Sequence, residues 1–148
     1  MNNKGNANEN YKQRQSHNNI AEELFEDWSL KKKYKIFRLG FDEKNKFVNS
    51  FYNLSEILRN LPDFVIERDG KIFVVNVKGT SNIKRKEYEM LPKLIDCFST
   101  YKSPLIYAFC FTNTEPIFKN AEKVIELYEH SAEDKTWSDG VIYRKLKI

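Results

Sequence analysis

The segment LPDFVIERDGKIFVVNVKGT, residues 61–80, constrains the fold more than any other part of the chain. Two strand-like runs, Asp63–Arg68 and Lys71–Lys78, flank Asp69-Gly70. An Asp-Gly pair between β-branched and aromatic runs is the strongest short signal for a two-residue hairpin turn. Once the turn is fixed, so is the register. Asp63 lies six positions before the turn and Asn76 six after it, so the two should stand opposite each other at the open end. Side chains alternate along a strand, which puts Asn76 and Lys78 on one face.

The remaining elements arrange themselves around this hairpin. Ile20, Ala21, Leu24, Phe25 and Trp28 recur at helical spacing, with Asn18 or Asn19 as the cap. A strand over Tyr34–Leu39 follows, and then a connection with a short helix around Leu54–Leu61. Beyond the hairpin, Thr80, Ser81 and Asn82 offer caps for a helix carrying Tyr88, Leu91, Leu94, Ile95 and Phe98. Pro92 within it predicts a kink or two pieces. PLIYAFCF, Pro104–Phe111, reads as a strand in a sheet interior. Thr114 caps a further helix through about Glu129, and Gly140–Leu146 forms a last strand. The order is α-β-(α)-β-β-α-β-α-β, without repeats. Residues 1–18 are Asn-rich and almost without aliphatic side chains, and read as a disordered tail. Residues 19–148 read as a single domain.

Composition narrows the chemistry. The chain has 148 residues, 41% hydrophobic and 14% aromatic, sufficient for one core. Net charge is +4, a mild basic bias that permits a polyanionic partner. The N-terminus lacks the apolar stretch of a secretory signal, so a cytoplasmic location is expected, and no run is long enough to span a membrane. Cys97 and Cys110 have no CxxC spacing and read as inert core thiols. His17 and His130 suit neither a zinc finger nor a His-metal centre, and neither accompanies a nucleophile signature. Chemistry here must rest on carboxylates, amides and lysines.

Asp63, Asn76 and Lys78 supply such a set. A carboxylate, an amide oxygen and an ammonium at the end of a stiff hairpin suit phosphodiester cleavage. There a hard cation with oxygen ligands polarises the phosphoryl group, and a lysine positions water and offsets developing charge.

Pro62-Asp63 followed by Asn76-Val77-Lys78 resembles the PD-(D/E)XK signature of restriction endonucleases and Holliday-junction resolvases. The upstream helix with Ala21-Glu22 is similar to the N-terminal helix of that superfamily, and the element order to its αβββαβ core. The resemblance covers roughly residues 19–113. It implies an α/β fold with a mixed central sheet flanked by helices, and a Mg²⁺- or Mn²⁺-dependent endonuclease acting on DNA. It further implies Asp63, Asn76, the Val77 carbonyl and Glu22 around the metal, Lys78 orienting the attacking water, and a homodimer addressing both strands.

One position departs from the pattern: the second acid of the signature is Asn76 here. An uncharged amide holds a cation less tightly, which keeps a second reading open, that of a catalytically impaired module binding DNA or a protein. A plain structural α/β domain is a third. Glu23, beside Glu22, reads as a solvated first-turn acid, and Glu67 as a cross-strand charge. The basic runs Lys31, Lys32, Lys33 and Lys84, Arg85, Lys86 are candidates for tracking phosphates, as is Arg144-Lys145-Lys147. Of these, Lys84–Lys86 is the best placed, just past the site. Each run reads equally well as a solvated face.

Overall fold

The Asp-Gly turn forms as the sequence predicts. In the computed structural model, which describes residues 7–39, 57, 60–100, 102–131 and 133–148, Asp69 and Gly70 adopt φ of 51° and 78°. These left-handed values are those of the turn that matches strand twist. The turn joins β2 (Phe64–Arg68) to β3 (Lys71–Lys78) in an antiparallel register running from Arg68↔Lys71 to Phe64↔Val75. β1 (Lys35–Arg38) pairs on the outer side of β2.

After β3 the chain makes a short strand, β4 (Asn82–Lys84), and a helix, α2 (Arg85–Thr100), before β5 (Leu105–Phe109) returns parallel to β3. β6 (Ile117–Asn120) pairs antiparallel with β5, which closes a five-stranded sheet of order β1-β2-β3-β5-β6. Helix α3 (Ala121–Glu129) follows, and then β7 (Lys135–Thr136) and β8 (Ile142–Lys145). These last two strands join β4 in a separate three-stranded sheet of order β4-β8-β7.

Helices cover both faces of the main sheet. On one face Val74, Leu105, Tyr107 and Phe109 pack under Leu91 and Leu94 of α2 and Val124 of α3. On the other, Phe64, Ile66, Val75, Val77 and Ala108 pack with Ala21 and Phe25 of the N-terminal helix, α1 (Ala7–Lys31). β5 is buried on both faces, the reason its sequence is a nearly unbroken apolar run. The expected mixed sheet between helices is therefore correct. Among the described residues no helix is long and apolar enough to cross a membrane.

Several boundaries differ from expectation. α1 begins at Ala7, so residues 7–18 are helical and not an irregular tail. This stretch lacks Gly and Pro and carries Glu, Lys, Gln and Arg, all good helix formers. Ser16 to Ile20 stay exposed, and burial starts at Ala21. Residues 80 and 81 precede β4 and Asn82 opens it, so none of them caps a helix; α2 starts at Arg85. α2 is a single helix with Pro92 inside it on the exposed side. The helix expected from Thr114 begins only at Ala121. Residues 117–120 pair with β5 instead, and Asn120 is the cap, its Oδ1 accepting from Lys123 N at 2.8 Å. The helix expected around Leu54–Leu61 falls mostly outside the described residues.

Gly79 locks α1 against the sheet. A Cβ at this position would sit 2.5 Å from the His17 carbonyl oxygen and 3.3 Å from the Ala21 Cβ. Only a glycine lets the helix approach the backbone directly after Lys78, and this brings the first packed turns of α1 to the open end of the hairpin.

Candidate active site

Extending the β2–β3 register by one residue puts Asp63 across from Asn76, and Asn76 is in turn paired with Tyr107 on β5. Directly opposed residues share a face of the sheet, so Asp63, Asn76 and Tyr107 form a row across three strands. Lys78 stands two residues further along β3 on the same face. The observed pairing ends at Phe64↔Val75, and Asp63 is a bend just before β2, but the charges of Lys78 and Glu87 act on its carboxyl and its own charge acts on Tyr107.

Asp63 is held by its own backbone and by its neighbour. Its N–H donates to the Val75 carbonyl at 3.0 Å, its carbonyl accepts from Leu39 N at 2.8 Å, and its Oδ2 accepts from Val77 N at 2.8 Å. Burial pushes this carboxyl above the usual aspartate range, against the Val77 hydrogen bond and the Lys78 charge, while nearby Glu87 pushes it further up. A carboxylate kept where its charge is unfavourable is a common mark of a functional site.

Two members of the cluster escaped the sequence reading. Glu87, in the first turn of α2, accepts from Lys78 Nζ at 2.6 Å and from the Tyr107 hydroxyl at 2.5 Å. The Tyr107 side chain is fully buried. Burial raises its phenol well above the ordinary value, helped by the charge of Glu87 and opposed by a hydrogen bond from Asn76. Lys78 and Glu87 are both largely buried, with side chains 17% and 16% exposed. The result is one connected group of Asp63, Asn76, Lys78, Glu87 and Tyr107. Helical spacing held a clue, because Glu87 precedes buried Leu91 by four residues and Leu94 by seven, on their face. Tyr107 held another, since a tyrosine inside an apolar strand needs a partner for its hydroxyl.

Glu22 is carried by α1 on the opposite side of the sheet from Asn76 and Lys78, and its Oε1 accepts from Arg38 at 3.2 Å. Arg38 also reaches Glu26 at 3.4 Å, and its charge acts on Asp63. Glu22 is thereby linked to the site through Arg38. Glu23 is exposed, and Glu67 pairs across strands with Lys35 at 3.8 Å.

The basic runs divide by position. Register places Lys35 opposite Glu67, so Lys31, Lys32 and Lys33 belong to the turn end of the hairpin. Four residues of strand, about 13 Å, separate that level from Asp63. Lys84 and Lys86 are exposed, three residues and one residue before Glu87 in the chain. Arg85 is tied to Asp134, as is Arg144 at 2.7 Å, and Arg144 also donates to the Tyr128 carbonyl at 2.9 Å. Both arginines therefore brace the accessory sheet. The cysteines are free thiols, and burial pushes Cys110 up to about 12, the behaviour of an inert core thiol. His130 ends α3, with Nδ1 2.8 Å from the Glu126 carbonyl.

Among the described residues no three His, Cys, Asp or Glu side chains converge as a metal cluster. The donors at the hairpin end are hard oxygens: the second Asp63 oxygen, the Asn76 amide and the Val77 carbonyl. Mg²⁺ fits such a set, because it commonly takes one or two carboxylates and keeps several waters.

No family model matches the chain, and no curated protein matches it significantly. Among solved structures it is similar to the 1.6 Å structure of Archaeoglobus fulgidus Hjc, a Holliday junction resolvase from an archaeal hyperthermophile. The TM-score is 0.50 at 11% identity, over 86% of this chain and 87% of that one. At that identity the likeness is one of architecture: this chain has a resolvase-like mixed α/β fold.

Proposed function

We propose that the protein is a divalent-metal-dependent endonuclease acting on DNA. One observation carries this reading: the buried Asp63 carboxylate, just before β2, accepts from the Val77 N–H between Asn76 and Lys78 and feels the Lys78 charge. Similarity in fold to a resolvase supports it.

In this reading Asp63, Asn76 and the Val77 carbonyl would hold Mg²⁺ or Mn²⁺, and Glu22 would act from α1 through Arg38. When bound, the cation polarises the phosphodiester and lowers the pKa of a coordinated water. Lys78 would orient the attacking water and offset charge growing on the phosphate oxygens. Glu87 fixes the Lys78 ammonium, and Tyr107 fixes Glu87. Asn76 stands where the PD-(D/E)XK resemblance expects a second acid, and Glu87 returns a second negative charge to the cluster from the helix. Lys84 and Lys86, just before Glu87 in the chain, would meet the DNA backbone. Arg85 and the more distant Lys31, Lys32 and Lys33 add only to the general basic field. A homodimer would address one strand with each protomer.

The test is incubation of the purified protein with plasmid and branched DNA in Mg²⁺ or Mn²⁺, against EDTA. Cleavage that requires the metal supports the reading. A salt-dependent shift of DNA without cleavage selects the non-catalytic binding module instead. Neither binding nor cleavage rejects both.

A further inference from the structure

The accessory sheet carries a face of which the proposed site uses only Lys84. In its antiparallel register Tyr143 lies opposite both Lys84 and Lys135, and Lys145 lies opposite Asn82. Opposed residues share a face, so Asn82, Lys84, Lys135, Tyr143 and Lys145 all point one way. The alternate residues point the other way: Ile83 is in the core, and Arg144 is tied to Asp134 and Tyr128. Lys84, Lys135 and Lys145 are exposed. Trp137 stacks on Tyr143, with ring centroids 4.0 Å apart and planes 12° from parallel.

Among the described residues, none of these outward strand positions is an acid. Of the acids nearest in sequence, Asp134 holds the two arginines and Asp139 accepts from Val141 N at 3.2 Å within its own turn, while exposed Glu133 lines a second depression with Lys135 and Lys145. Among the described residues, the Lys135 and Lys145 ammonium groups have no ion-pair partner. The face also borders a depression of about 400 Å³. Its other wall is the Gly79–Asn82 segment together with Phe111, so it opens one residue beyond Lys78.

We infer that this face binds a single nucleic-acid strand and leads it to the Asp63–Lys78 centre. Lys135 and Lys145 meet successive phosphates, and the Trp137–Tyr143 stack offers a ring to an unpaired base. Cations interleaved with an aromatic platform form the combination that holds single strands without reading their sequence. The inference extends the nuclease reading, but the surface can be measured apart from any cleavage.

The experiment is fluorescence anisotropy with a labelled single-stranded oligonucleotide, in EDTA, across a salt series. Lys135→Glu and Lys145→Glu should each weaken binding about 5- to 10-fold, and each should lower the salt slope by about 0.7. Tyr143→Leu should weaken it about 5- to 100-fold. Lys71→Glu, the same charge change at the hairpin turn, should leave affinity within about 2-fold, by the same phosphate-contact rule. If both lysine variants bind like the parent, or if Lys71→Glu weakens binding as much as they do, the assignment is overturned. Intact binding with no metal-dependent cleavage would leave this surface standing and remove the nuclease reading instead.

Discussion

Asp63→Asn should abolish metal-dependent cleavage, by at least about 100- to 1000-fold, while making the metal-free protein more stable at neutral pH. Both effects follow from the same burial. Desolvation raises the Asp63 carboxyl in the folded state above its unfolded value, so the native state binds that proton more tightly than the unfolded chain does. Stability from this group is present at low pH and is lost as pH rises through the raised value. An amide at position 63 never bears the charge and can still accept from the Val77 N–H. The stability gain over the parent should therefore be largest near neutrality and vanish below the ordinary aspartate range. Mg²⁺ should raise the melting midpoint of the parent and leave that of the variant unchanged. Melting curves from pH 3 to 8, with a plasmid assay alongside, measure all of this. A variant that cuts like the parent would remove Asp63 from the chemistry. One that is less stable at neutral pH would mean that its charge is welcome in the fold.

Glu87→Leu should be among the most destabilising single changes in the domain, at about 3–5 kcal/mol. It strands the largely buried Lys78 ammonium and removes the acceptor of the buried Tyr107 hydroxyl. Glu87→Gln keeps an acceptor and should cost only about 1–2 kcal/mol. Lys78→Met should also be destabilising, because it leaves Glu87 unpaired. The double variant Lys78→Met/Glu87→Leu should then recover much of the loss, a coupling of about 1–3 kcal/mol between neighbours. Denaturant unfolding of the four proteins gives the cycle directly. Additive losses would show that the two side chains do not act on each other. Lys78→Met would be inactive in any case, so in this pair stability is the informative readout and cleavage the supporting one.

The parts of this architecture that were legible in sequence are those governed by local rules. An Asp-Gly turn fixes its own strands, and counting outward from it put Asp63 opposite Asn76 with Lys78 on the same face. The apolar run at 105–109 identified a buried strand. Glu87 and Tyr107 were not legible, because their meeting with Lys78 depends on the parallel β3–β5 register, set only after an excursion through β4 and α2. The same limit explains the misplaced start of α3. Ile117 and Phe118 satisfy a helical spacing, yet an edge position beside β5 claimed them first. β4 and β7 are too short to announce themselves, and β8, expected within residues 140–146, pairs only with them. At the N-terminus, composition suggested disorder where helix propensity prevailed.

The central claim is that the hairpin end holds a divalent cation, and the most direct test is to locate one. Crystals soaked in Mn²⁺ and measured for anomalous scattering should show a peak between the Asp63 carboxylate and the Asn76 amide, within about 2.0–2.3 Å of the ligating oxygens. Crystals of Asp63→Asn under the same soak should show none there. A parent crystal with no peak at this position at millimolar Mn²⁺, or with its only ordered Mn²⁺ elsewhere, would contradict the account.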